Sequence, residues 1–178
     1  IVLQLLEQAK PDVLCLQEIK TVNETFPTEA LAEAGYAHQL VKGQKGYNGV
    51  AILAREPIEA SESPDWCAKG DSRHVSARLA DGTEVHNFYV PAGGDVPDRE
   101  ANDKFAHKLD FLAEMRDWFE ANRKPDQPMV LVGDLNIAPL ETDVWSHKQL
   151  LKVVSHTPIE VEALAAVQGS AAWVDAVR

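Results

Sequence analysis

The chain has 178 residues, of which 45 % are hydrophobic and 25 % charged, and a formal net charge of −11. This is the composition of an ordinary globular protein long enough for one domain with a sizeable core, and no apolar run approaches the length of a membrane span. The acidic balance excludes binding of polyanions through bulk charge; it leaves room for a local, metal-assisted phosphate site.

Ile1, Val2, Leu5, Leu6 and Ala9 recur at helical spacing, and Pro11 closes that element. "DVLCLQ" (Asp12 to Gln17) then reads as a buried strand, with Glu18 at its carboxyl end. "FPTEALAEAG" suits a short helix with Pro27 near its first turn and Gly35 as its stop. "YAHQLV" and "NGVAILAR" read as two strands joined by the turn "KGQKGY". "RHVSARLADGTEVHNFYV" carries two alternating runs around Asp81-Gly82, a strong hairpin turn. Residues 102–122 predict the longest helix, with Phe105, Leu109, Leu112, Met115 and Phe119 as its apolar stripe. "MVLVGD" reads as another buried strand, and a last helix is expected from Ile159 to about Val167, after Pro158.

Strands joined by hairpins, with helices at both ends, suggest mixed α/β or α+β layers rather than a purely doubly wound sheet. No repeat, low-complexity tract or linker divides the chain, so one domain over residues 1–178 is expected. The sequence opens at Ile1 already in helical stride and stops at "WVDAVR" without a terminating signal, which predicts an internal fragment, incomplete at both ends. Cys15 and Cys67 are the only cysteines. Cys15 reads as a small buried thiol, and two cysteines do not make a disulfide framework. A reducing, cytoplasmic setting is expected.

Several strand ends deliver a polar group where an apolar run stops: Glu18, Asn48 before "GVAIL", Tyr89, and Asp134 with Asn136. Each alone has a structural explanation, since acids and amides satisfy turn backbones and a strand tyrosine packs in a core. Together they suit magnesium-assisted phosphoryl transfer. Mg²⁺ takes one or two protein carboxylates and keeps several waters. An aspartate can orient or deprotonate attacking water, while an amide and a phenol can hydrogen-bond phosphate oxygens as charge builds. Basic residues gather at Lys42 and Lys45, at Lys104 and Lys108, and at His147, Lys148 and Lys152; these are solvated faces or local phosphate contacts. Other chemistries fare worse. The six histidines show no tight metal-ligand spacing, and neither a GxSxG elbow nor a P-loop is present. "PAGG" lacks the dinucleotide fingerprint, and "IAPLETDV" does not continue the calcium loop that Asp134-Leu-Asn136 begins to resemble.

"DVLCLQEIK", "GYNGVAIL", "NFYVPAGG" and "VGDLNIAP", in this order, resemble the exonuclease III-like apurinic/apyrimidinic (AP) endonucleases of the endonuclease/exonuclease/phosphatase superfamily. The resemblance runs over essentially the whole chain. It implies a four-layer α/β sandwich, two mixed sheets face to face with helices outside, and a site at one end of the sheets. By resemblance Glu18 binds Mg²⁺ (or Mn²⁺) and Tyr89 contacts the scissile phosphate. Asp134 would orient or activate the nucleophilic water, and Asn136 would position it or stabilise the pentacoordinate phosphorus. Tyr47 and Asn48 fall where the family brings a loop against DNA, and Lys108 lies on the helix after the tyrosine motif, as a substrate contact or a solvated face.

The family's opening W-N motif and closing S-D-H motif are not in this sequence. None of Trp66, Trp118, Trp145 and Trp173 is followed by asparagine. The implied activity is Mg²⁺-dependent hydrolysis of the phosphodiester 5′ to abasic sites in double-stranded DNA, by a monomer. Exonuclease or 3′-phosphodiesterase activity at 3′ ends is implied beside it, and this chain alone is expected to be nearly inactive. Two other readings stand beside it: a phosphatase or phosphodiesterase acting on a small or lipid phosphate, and a non-catalytic DNA-binding fragment.

Overall fold

A computed structural model describes residues 1–176; Val177 and Arg178, which end the "WVDAVR" run, lie outside the described residues. The chain divides into two compact units. The first comprises Ile1–Asp65, Lys69–Tyr89 and Pro128–Asp134, and the second Trp66–Ala68, Val90–Gln127 and Leu135–Arg178.

The first unit contains α1 (Val2–Ala9), β1 (Val13–Gln17), α2 (Thr28–Glu33), β2 (His38–Lys42), β3 (Val50–Ala54), β4 (Glu59–Ala60), β5 (His74–Arg78), β6 (Glu84–Tyr89) and a further strand, β7 (Met129–Asp134). They form two sheets, ordered β1-β3-β2 and β4-β5-β6-β7. β3 occupies the middle of the first sheet, and all five of its residues are buried. Its alternation explains the layering. Ala51 and Leu53 pack with Leu6 of α1 and Leu31 of α2, whereas Val50 and Ile52 pack with Val75, Ala77 and Val85 of the second sheet. Helices, sheet and sheet are thus three successive layers of this unit. Each fully buried aliphatic side chain stabilises it by roughly 1.5–3 kcal/mol.

The hairpin around Asp81-Gly82 forms as expected, with β5 antiparallel to β6. Asp81 accepts the Thr83 N–H, and Gly82 takes a φ of 89° that the turn requires. Two expectations are corrected. The first sheet is antiparallel throughout, not mixed. β1 and β2 run in the same direction, but β3 slots between them and pairs with both. Among the described residues only the second sheet is mixed, through the parallel pair β6–β7. The runs "VLCLQ" and "MVLVGD" are also not fully buried strands. Both lie at sheet edges among the described residues, so β1 is half-buried throughout and Val130 of β7 is 44 % exposed.

The second unit is built on α3 (Asp103–Asn122), with α4 (His147–Leu150) and α5 (Pro158–Ser170). Asn102 caps α3 by accepting the Lys104 N–H. The expected stripe of Phe105, Leu109, Leu112, Met115 and Phe119 is buried. An aromatic chain extends it: Trp66 meets Phe111 at 5.7 Å and Trp118 at 5.9 Å, and Phe119 meets Trp173 at 5.2 Å. α5 packs on α3 and begins with a capping box in which Thr157 and Glu160 bond reciprocally. It runs a few residues beyond the expected Val167, to Ser170. No helix among the described residues is long and apolar enough to cross a membrane.

Candidate active site

In the first unit, strand pairing brings the predicted polar ends together. β6 and β7 run parallel, and the last residue pair of that ladder is Tyr89 opposite Asp134. Register partners project to one face of a sheet. On the other sheet β1 is antiparallel to β3, so the end of β1 meets the start of β3. The Ile19 N–H donates to Gly49 O at 3.2 Å and the Lys20 N–H to Asn48 O at 2.9 Å. The two sheets are tied by a buried side chain that sequence reasoning missed. Asn87 of β6 accepts from Gln17 Nε2 at 2.6 Å and donates to Leu16 O and Ala51 O. Its signal was a polar residue at an inward position of a strand, between Val85 and Tyr89.

The Tyr89 hydroxyl hydrogen-bonds the Glu18 carboxylate, which also pairs with Lys20 Nζ at 2.6 Å. Lys20 first, then Tyr89, hold the Glu18 carboxyl below its ordinary value. Burial, then the bond to Glu18 and its charge, raise the Tyr89 phenol above its ordinary value, and Asp134 adds in the same direction. Tyr89 is therefore a neutral donor at physiological pH, and Glu18 an anion.

Arg73, also missed, frames the tyrosine. It pairs with Asp71, donates to Tyr89 O at 3.3 Å and lies 4.9 Å from the ring centroid. Nothing in the sequence distinguished it from any other arginine before a hairpin. Asn48 donates to Asp71 O and to Gln44 Oε1, while Tyr47 beside it is exposed.

Backbone strain gathers at the same ends. Glu18, Lys20, Asn48 and Ser72 all have φ between 45° and 52°, a region non-glycine residues seldom enter and one that recurs at functional sites. Gly133, just before Asp134, has φ of 133°, and a Cβ there would fall 1.9 Å from Phe88 O. Only glycine lets β7 approach β6 at that point.

In the second unit, Asn136 donates from Nδ2 to Val90 O at 2.9 Å, with a backbone φ of 53°. Lys108 is a correction. It is neither a solvated face nor an available substrate contact, because it is fully buried. Its ammonium donates to Glu160 Oε1 at 2.5 Å, Asn136 O at 2.7 Å and Ala92 O at 3.3 Å. The signal lay in the helix spacing: Lys108 is three residues from Phe105 and four from Leu112, on the apolar stripe itself. The other basic groups on this unit include His147, which joins His156 at 2.9 Å.

Among the described residues no three His, Cys, Asp or Glu side chains form a metal cage. A magnesium ion does not require one, since one or two carboxylates and water suffice. The exposed, ionised Glu18 is a hard oxygen donor of the right kind, and the Lys20 ammonium already holds a positive charge against it.

A family model described as Endonuclease/Exonuclease/phosphatase family matches residues 1–172. The chain belongs to that family. Its relatives fall in the exonuclease III-like AP endonuclease branch. It is 33 % identical over 147 residues to exodeoxyribonuclease III of Haemophilus influenzae, covering 79 % of this chain and 53 % of that protein. It is 31 % identical over 161 residues to DNA repair nuclease APEX1 of Danio rerio, covering 85 % and 48 %. Among solved structures, an AP endonuclease from Archaeoglobus fulgidus matches with a TM-score of 0.86 at 33 % identity, covering 95 % of this chain and 64 % of that one. The 3′-5′ exonuclease NExo from Neisseria meningitidis matches with a TM-score of 0.84 at 28 % identity, with the same coverage. The chain spans about half the length of the curated relatives it matches.

Proposed function

We propose that this protein is a divalent-metal-dependent DNA-repair nuclease that hydrolyses the phosphodiester 5′ to abasic sites in double-stranded DNA. We include 3′-end exonuclease or phosphodiesterase activity in the same reading. The observation that carries it is the parallel β6–β7 ladder that sets Tyr89 beside Asp134, with the Tyr89 hydroxyl on Glu18. Family membership, and relatives named for these activities, support it.

Glu18 would hold Mg²⁺ or Mn²⁺, which when bound would polarise a phosphate oxygen. Asp134 would take a proton from the attacking water. The water oxygen then bonds to phosphorus while the bond to the 3′ oxygen breaks and that oxygen takes a proton from solvent, leaving a 3′-hydroxyl and a 5′-deoxyribose phosphate. Tyr89, kept protonated by burial and by the Glu18 charge, would donate to a phosphate oxygen rather than repel it. Asn136, two residues along the chain from Asp134, would orient the water. Tyr47, Asn48 and the exposed lysines would meet the DNA backbone.

The test is incision of an abasic-site duplex by the protein with Mg²⁺, with chelator, and with Asp134→Ala. Incision should require metal and fall by about 10²–10³-fold in the variant. Metal-independent incision, or an active Asp134→Ala protein, overturns the reading.

A further inference from the structure

The Lys108–Glu160 pair is buried on both sides, and such a pair is poor evidence for stability, because well-packed apolar residues serve a core as well or better. Its connections point to another role. Lys108 reaches the main chain at two places: Ala92 O, in the segment that leaves β6, and Asn136 O, in the segment that leaves β7. Glu160 holds the opposite side. Both of its oxygens accept the Ser155 N–H at 2.9 Å, and Oε2 also accepts from the Thr157 N–H and hydroxyl. Ser155 O in turn accepts the Ala138 N–H at 2.8 Å, and His156 Nδ1 bonds Ala138 O at 2.7 Å.

The segment 136–138 is therefore gripped at Asn136 by the lysine and at Ala138 through the glutamate's partners. Both Asn136 and Ser155 sit at positive φ, 53° and 81°. Such conformations persist only where the surroundings over-determine them. Space is fitted to the lysine as well: at Gly93, with φ of 91°, a Cβ would come within 3.0 Å of Lys108 Cδ.

We propose that the buried Lys108–Glu160 ion pair is a positioning device that fixes the backbone of Asn136 and so aims its side-chain amide. Neither residue touches substrate. The consequence for rate rests on the nuclease reading, whereas the grip itself does not.

The experiment uses the full chain with Lys108→Met/Glu160→Leu, which removes both charges and leaves no unpaired ion in the interior, with Glu160→Gln as a milder second variant. Thermal unfolding, steady-state incision and amide hydrogen exchange at Ala138 are read on each. The double variant should unfold near the parent temperature, lose about 10- to 100-fold in kcat, keep KM within about twofold, and exchange the Ala138 N–H at least about tenfold faster. Glu160→Gln should move kcat and exchange the same way, by less. A folded double variant with parental kcat and parental exchange overturns the proposal, as does a loss of kcat with exchange unchanged. If the double variant does not fold, the same readouts on Glu160→Gln decide. If the parent itself makes no incision, the kcat readout carries nothing, and the exchange rate alone supports or overturns the grip.

Discussion

Each compact unit carries a lysine–carboxylate pair, and the two pairs share a geometry but not a setting. Lys20 and Glu18 meet at 2.6 Å with 55 % and 42 % of their side chains exposed; Lys108 and Glu160 meet at 2.5 Å with none exposed. In water the first pair gains little from contact and can exchange partners readily. The second cannot be opened without stranding a charge in a medium that solvates it poorly. Distance alone would rank them equal. Access to water makes one pair a replaceable contact suited to receiving a new cation, and the other a fixed strut.

The most damaging way to break this comparison is to remove one member of the buried pair. Lys108→Met should cost about 3–5 kcal/mol in urea denaturation, and an unchanged midpoint would erase the distinction. Glu18→Ala should instead spare the unfolding midpoint and lower metal-dependent incision by about 10²–10³-fold. Lys20→Met is a finer probe. Lys20 is the leading cause that lowers the Glu18 carboxyl, so the anion's stabilising contribution is present above the ordinary carboxylate value and lost as pH falls through the lower folded one. Without Lys20 that loss should come at higher pH. The acidic limb of the pH–rate profile should move up, with the fold intact by circular dichroism. The smallest effect lies on β1 itself. Burial pushes the Cys15 thiol up to about 11, so at pH 8 roughly one molecule in a thousand carries the thiolate. Alkylation by iodoacetamide, followed by peptide mass spectrometry, should be far slower at Cys15 than in the unfolded chain.

Much of the fold was legible because local chemistry decides it. The Asp81-Gly82 turn, the β2–β3 connection and the stripe of α3 each follow from residues close in sequence. Sheet position was not legible. An apolar run such as "MVLVGD" suits a central or an edge strand equally, and the neighbour it lacks is not written within it. In the candidate site, Glu18, Tyr89 and Asp134 stood out as polar residues ending apolar runs. Asn87 did not, because its partners Gln17 and Leu16 lie on the other sheet and are set by the packing of the two sheets across a long stretch of chain. Arg73 did not, because nothing beside it in the sequence marks it as more than the residue that opens the hairpin. Lys108 was read by its charge, when its place among Phe105, Leu109 and Leu112 gave the better account. The "TPIE" run before α5 held a further clue, since Glu160 sits where a capping box puts an acid.

Gly133 adds a consequence for how this sequence can vary. A methyl group there would collide with the Phe88 main chain at 1.9 Å, and a backbone neighbour cannot step aside as a side chain can. In a saturation scan, Val130 should accept many residues on its exposed face, while position 133 should accept one. The tolerance of the strand thus collapses within three residues, from nearly free choice to none, one step before the aspartate.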